Sequence, residues 1–143
     1  ETPLLQPQPA EFTLEGLHFL LAEDIAINAE VAIAILEAFG ASVEHAEDGQ
    51  IALSLFEKSE PGHFDAILMD LRMPNMDGYE ATQAIRKLNR ADAKEIPILA
   101  LTADAFVEDA QKCLACGMNA HLSKPLDIDR LKQTLADILQ GRI

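Results

Sequence analysis

Ala66-Ile67-Leu68-Met69-Asp70 sets four consecutive apolar residues in front of an acid. A short unbroken apolar run reads as a strand buried on both faces, because a strand with one wet face would alternate apolar and polar residues. The acid then marks where the strand leaves the sheet. In open α/β sheets, ligands bind at the carboxyl ends of the strands. The run therefore sets a fold class and singles out Asp70 together.

Outward from this strand, short apolar runs alternate with segments of helical spacing. The other strand candidates are His18 to Glu23, Ser42 to Ala46, Ile98 to Thr102 and Ala120 to Ser123. Between and after the five strands, one face is apolar at Ala32, Ile35, Leu36 and Phe39, at Ala52, Leu55 and Phe56, and at Ala81, Ile85 and Leu88. A weaker helical pattern runs from Val107 to Cys116, and the last carries Ile128, Leu131, Leu135, Ile138 and Leu139. Strict alternation with right-handed crossovers gives a doubly wound α/β fold: a five-stranded parallel sheet with helices on both faces.

The 143 residues fit one domain with a full core, and 49% are apolar, as in ordinary globular chains. Residues 1–16 hold Pro3, Pro7 and Pro9 in an unpatterned run, which reads as a linker or tether cut from something longer, with the domain proper at 17–143. The net charge of -13, from 24 acidic and 11 basic residues, would repel a nucleic-acid backbone or an anionic membrane surface. Direct nucleic-acid binding and membrane contact are therefore not expected. The longest apolar stretches, such as Phe19 to Ala22 and Ile96 to Leu101, fall far short of the ~20 residues that cross a bilayer. Cys113 and Cys116 form a lone CxxC without a strand-turn context and read as reduced thiols of a cytoplasmic protein.

Chemistry-bearing residues gather at the strand ends. Glu23 and Asp24 follow the first strand, Asp70 ends the third, Thr102 ends the fourth, and Lys124 follows the fifth beside Pro125. Singly, each is an ordinary turn former, cap or solvated charge. Together, three carboxylates held close would repel one another unless a cation neutralised them, and oxygen-only ligation points to Mg²⁺, with Mn²⁺ as the alternative. A carboxylate can attack phosphorus when the charge on the transferring oxygens is neutralised, and Thr102 and Lys124 are suitable donors.

Four stretches resemble the response-regulator receiver family: Leu21-Ala22-Glu23-Asp24, Met69-Asp70-Leu71-Arg72-Met73-Pro74-Asn75-Met76-Asp77-Gly78, Leu101-Thr102-Ala103 and Ser123-Lys124-Pro125. The resemblance covers about Gly16 to Leu139 and looks most like receivers attached to hybrid sensor histidine kinases. It implies the flavodoxin-like receiver fold and a phosphorelay function. Asp70 would accept a phosphoryl group from a phosphohistidine in a Mg-dependent reaction, then relay it or switch partner binding. Such a domain catalyses its own phosphorylation and dephosphorylation as part of a larger kinase. The resemblance further implies that Asp24 and Asp70 bind the metal directly, that Glu23 acts largely through water, and that the Arg72 carbonyl is a further ligand. Thr102, the Ala103 amide and Lys124 would hold the phosphoryl group, and the Lys124-Pro125 peptide is expected to be cis. The implied partners are a histidine kinase domain, a histidine phosphotransfer domain, or both, approaching the Asp70 edge and the first helix near Ala29, Ala32 and Ile33. A monomer is favoured, on the cytoplasmic side of a parent protein that can itself be membrane-anchored.

Three positions depart from the family pattern. His121 stands where many receivers carry Tyr or Phe as a switch; it reads as a partly exposed loop histidine, with a switching role as the sharper alternative. Ile25 replaces a polar residue beside the acidic pair, which would weaken Mg²⁺ binding. Arg72 and Asp104, each two residues past a site residue, have opposite charges and could pair over the phosphoryl group to shield it from water. Other functions fit the residues less well. A haloacid-dehalogenase-type phosphatase needs an acid where Arg72 stands, and Glu23 and Asp24 would repel the phosphate of a flavin. A receiver-shaped module that takes no phosphate is a minority reading, against an intact acid, threonine and lysine set.

Overall fold

The computed structural model describes residues 13–102 and 107–139, apart from the side chains of 107–110. In chain order the elements are β1 (His18–Ala22), α1 (Ala26–Ala38), β2 (Ser42–Ala46), α2 (Gly49–Lys58), β3 (Ala66–Asp70), α3 (Gly78–Arg86), α4 (Ala91–Glu95), β4 (Ile98–Thr102), α5 (Val107–Cys116), β5 (Ala120–Ser123) and α6 (Ile128–Leu139). The strands form one parallel sheet in the order β2-β1-β3-β4-β5. The doubly wound architecture expected from the sequence is the one observed. β1 stops one residue short of Glu23, which its amide ties to Ala46 at 3.0 Å.

All five residues of β3 are buried, and the four apolar ones divide by parity between two cores. Ile67 and Met69 join Leu20, Phe56, Ile85 and Ile98 on one face. Ala66 and Leu68 join Phe19, Leu21, Leu36, Leu131 and Leu135 on the other. A strand that must satisfy both cores has no polar position before its end, which is why the run Ala66 to Met69 looked continuous in sequence.

Six helices stand among the described residues where five were expected. The addition, α4, is a single turn whose one buried residue is Ala93, too short to show a period. Arg86 anchors this region. Its guanidinium donates to the carbonyls of Gly117 (2.9 Å), Ala93 (3.1 Å) and Ile96 (2.8 Å) and to Asn119 Oδ1 (2.9 Å). One side chain thereby joins α3, α4 and the turn into β5.

Two apolar positions do not face the core as their spacing suggested. Phe39 is half-exposed just past α1, and Leu139 is exposed at the end of α6. The buried face of α1 is Ala29, Ala32 and Leu36. Cys113 and Cys116 are free, buried thiols, the Cys116 Sγ donating to the Cys113 carbonyl. Burial pushes the Cys116 thiol up, away from a reactive thiolate. No helix among the described residues is long and apolar enough to cross a membrane.

The packed chain starts before the boundary at residue 17. Leu14, expected in the tether, is fully buried in the core beneath α1 and α6. A turn between the Leu17 amide and the Leu14 carbonyl (3.0 Å) and a bond from the Gly16 amide to the Gly40 carbonyl (3.0 Å) hold it there. One leucine after a proline-rich stretch carries no period, so nothing in the sequence marked it. Leu14→Ala should cost about 2–5 kcal/mol, measured by urea unfolding; a cost under about 0.5 kcal/mol would mean the side chain does not belong to the core.

Candidate functional site

The register of the sheet brings the expected acids, threonine and lysine to one edge. Ala22 pairs with Met69, Asp70 with Leu101 and Thr102 with Ser123, so Glu23, Asp70, Thr102 and Lys124 emerge side by side. Glu23, Asp70 and Thr102 are buried, and Asp24 is exposed. The Lys124 amide donates to the Thr102 carbonyl at 2.8 Å, fixing the start of the last loop. The Lys124-Pro125 peptide is cis.

The Lys124 ammonium lies between two carboxylates, 2.8 Å from Glu23 Oε1 and 3.2 Å from Asp70 Oδ2. The Arg72 amide faces the other Asp70 oxygen, Oδ1, at 3.4 Å. Burial raises the Asp70 carboxyl, and the neighbouring Glu23 raises it further, to about 6 against the opposing pull of Lys124. Burial acts in the same sense on Glu23, but hydrogen bonds with Lys124, Asp70 and the Ile25 amide hold it below its ordinary value. Burial works against the Lys124 charge as well, and the two carboxylates keep its pKa raised. The site thus holds more negative charge than its one lysine neutralises.

Three carboxylates, those of Glu23, Asp24 and Asp70, present oxygens that all lie within 4.8 Å of one another. An excess of buried carboxylate charge in an all-oxygen donor set suits a hard divalent cation of the Mg²⁺ class. The residues present therefore fit the metal that the motifs implied.

Several further contacts position the site, and the first two, made by His45 and Asn75, had no signal in the sequence. The His45 ring nitrogen Nε2 lies 2.7 Å from the Glu23 carbonyl, tying the acidic loop to β2. Asn75, in the left-handed region at φ 68°, donates from Nδ2 to Asp48 Oδ2 at 2.8 Å and so fastens the loop after Asp70 to the cap of α2. Asp77 and Glu80 form a capping box that starts α3. A Cβ on Gly78 would collide with the Asp70 carbonyl. That close approach explains the glycine eight residues after Asp70.

The Arg72 side chain is exposed, and His121 is half-buried on β5. Ala103 and Asp104 lie outside the described residues. The contact surface expected near Ala29, Ala32 and Ile33 needs correction, since Ala29 and Ala32 are buried against the sheet. The apolar side chains exposed beside the acidic edge are Ile25, Ile27 and Val31.

A parallel sheet with helices on both faces, carrying an acid cluster and a lysine across its strand ends, defines an α/β protein whose strand-end site can hold a divalent cation. A family model described as the response regulator receiver domain matches residues 19–136. The chain belongs to this family of two-component phosphorelay domains. Probable histidine kinase 2 of Oryza sativa subsp. indica is 36% identical over 140 residues, covering 90% of this chain and 13% of that protein. The chain thus corresponds to a small part of the relatives it matches. Among solved structures, the receiver domain of sensor histidine kinase PA1611 from Pseudomonas aeruginosa PAO1, with magnesium in its active-site cleft, is 38% identical. It covers 87% of this chain and 98% of that one with a TM-score of 0.76. The receiver domain of Ssk1 from Saccharomyces cerevisiae, solved with the histidine phosphotransfer protein Ypd1, is 27% identical. It covers 87% of this chain and 90% of the matched one, with a TM-score of 0.74.

The raised Asp70 carboxyl has a consequence for stability. The folded state holds this proton more tightly than the unfolded chain, so the stability it contributes is present at low pH and fades as pH rises from about 4 to 6. In metal-free buffer, Asp70→Asn should match wild type near pH 4 and exceed it at pH 7 by about 1–2 kcal/mol. Thermal unfolding across that range checks this, and a variant less stable than wild type at pH 7 would contradict it.

Proposed function

We propose that Asp70 accepts a phosphoryl group from a phosphohistidine on a partner domain, and that the domain then relays the group or changes its partner binding. The observation that carries this reading is the Asp70 carboxyl at the end of β3, 3.2 Å from the Lys124 ammonium and grouped with the Glu23 and Asp24 carboxylates. Glu23, Asp24, Asp70 and the Arg72 carbonyl are the residues assigned to Mg²⁺, with Mn²⁺ as a substitute. When bound, the cation supplies positive charge against the Asp70 carboxylate and the oxygens of the incoming phosphoryl group.

Asp70 is the nucleophile. One of its carboxylate oxygens forms the new P–O bond as the P–N bond to the partner imidazole breaks, and the departing imidazole takes up a proton from solvent. Lys124 lies beside Oδ2, so its ammonium can follow the charge onto the phosphoryl oxygens. The Thr102 hydroxyl and the Ala103 amide are the further donors assigned to that group. His121 is assigned the switch position, and Arg72 with Asp104 the shielding of the acyl phosphate from water.

Partner recognition is assigned to the exposed Ile25, Ile27 and Val31, next to the acidic edge. The chemistry of the edge suits a histidine phosphotransfer or histidine kinase domain, the former being the partner class in the Ssk1 complex. The net charge of -13 argues against nucleic acid as a direct partner. Residues ahead of Leu14 are assigned to a tether within a longer hybrid kinase whose receiver acts on the cytoplasmic side as a monomer.

Acetyl phosphate with Mg²⁺ should add one phosphoryl group to the wild-type chain by intact mass, and none to Asp70→Asn or to metal-free protein. A folded, Mg²⁺-supplied wild type that acquires no adduct would refute the reading. Arg72→Ala should shorten the life of the adduct by up to about fivefold, since exposed ion pairs contribute at most about 1 kcal/mol. An unchanged decay rate would remove Arg72 from the shielding role.

A further inference from the structure

At the opposite end of the strands, three side chains with no part in phosphoryl chemistry converge. The His18 ring nitrogen Nε2 is 2.8 Å from Glu44 Oε2, and the His63 Nε2 is 2.7 Å from the same oxygen. The ligand atoms of all three residues lie within 4.8 Å of one another, and the two imidazoles have centroids 4.4 Å apart. We propose that His18, Glu44 and His63 form a second cation site, selective for a transition ion of the zinc type.

The fold holds each ligand from a different element. His18 opens β1, Glu44 lies in the middle of β2, and His63 sits in the loop between α2 and β3. The register pairs His18 with Ser42 and Leu20 with Glu44, so the side chains of His18 and Glu44 share one face of the sheet, offset by one pleat. The backbone around them is tied down. The His18 amide donates to Asp65 Oδ2 at 2.8 Å, the Asp65 amide donates to the His18 carbonyl at 2.7 Å, and the His63 amide donates to the Glu60 carbonyl at 3.0 Å. Buried Phe64 packs against both imidazoles, with centroids 5.3 Å and 4.7 Å away, and limits how they can turn.

The donor chemistry separates this site from the one at Asp70. Two imidazole nitrogens with one carboxylate oxygen suit Zn²⁺, and a three-ligand set leaves a fourth position for water. The side chains of His18, Glu44 and His63 are 27%, 38% and 42% exposed, so an ion can enter from solvent and the ligands can adjust. The adjustment needed is small. Ligand atoms around tetrahedral zinc stand roughly 3.3 Å apart, about half an ångström wider than the two contacts to Glu44. A bound ion would clip the edge strand β2 to β1 and to the loop leading into β3. Four residue steps along β1 lead from His18 to Ala22, roughly 13 Å, so the two sites lie apart and can fill independently. The proposal does not depend on phosphoryl transfer.

The test is calorimetric titration of the full chain with ZnCl₂ in excess Mg²⁺, paired with thermal unfolding. One equivalent of Zn²⁺ should bind and raise Tm, Glu44→Gln and His63→Ala should each weaken binding at least tenfold, and Asp70→Asn should bind as wild type does. In proton NMR of the unmodified chain, stoichiometric Zn²⁺ should shift the ring signals of His18 and His63 and leave those of His45 and His121 in place. That measurement stands even where a variant folds poorly. Absence of binding, binding unaltered in folded His63→Ala, loss in Asp70→Asn, or shifts confined to His45 and His121 would each overturn the proposal.

Discussion

One ammonium held between two buried carboxylates governs the working end of this domain. Lys124 contacts Glu23 and Asp70 at once, yet it cannot neutralise both together with Asp24. Buried charge of one sign is costly unless it is paired, hydrogen-bonded or compensated by a ligand. The imbalance makes the edge receptive to a cation, and in the role proposed for Asp70 the charge of that cation and of Lys124 would make the carboxylate a usable acceptor for a charged group. Stability and chemistry oppose each other at Asp70.

The rest of the fold supports that arrangement mechanically. Parallel pairing delivers four chain-distant side chains to one edge because each strand ends at a matched register. The loop after Asp70 must turn sharply without moving the acid. Asn75 anchored on Asp48, the Asp77 capping box, and the close approach of Gly78 to the Asp70 carbonyl together hold it. His45 does the same for the Glu23 loop from the neighbouring strand. These residues shape the site without belonging to its donor set.

The two ends of the sheet differ in kind. The carboxyl edge gathers oxygen donors around a lysine, and the amino edge gathers two imidazoles around one carboxylate. Between them lie two cores that share β1, β3 and β4, so a clip at one end and a charged cluster at the other act on the same rigid layer. Exposed Ile25, Ile27 and Val31 flank the carboxyl edge.

Much of this was legible from residue order alone. The unbroken run Ala66 to Met69 implied burial on both faces, the alternation of periods implied the crossovers, and the acids, threonine and lysine stood at strand ends because strand ends are visible as changes of pattern. The features that sequence did not reveal share a physical cause: each depends on a contact between residues far apart in the chain or too few to form a period. Leu14 has no periodic neighbours, and α4 is a single turn. On α1 the periodic pair Ala32 and Leu36 did mark the buried face, but that Ala29 joins it while Ile27 and Val31 stand exposed is set by packing. His45 on Glu23, Asn75 on Asp48, and the meeting of His18, Glu44 and His63 follow no spacing rule. The sequence by itself determined which chemistry could occur at the ends of the strands. Only the tertiary structure decided which side chains hold that chemistry in place, because parallel register, not chain proximity, brings them within a hydrogen bond of one another.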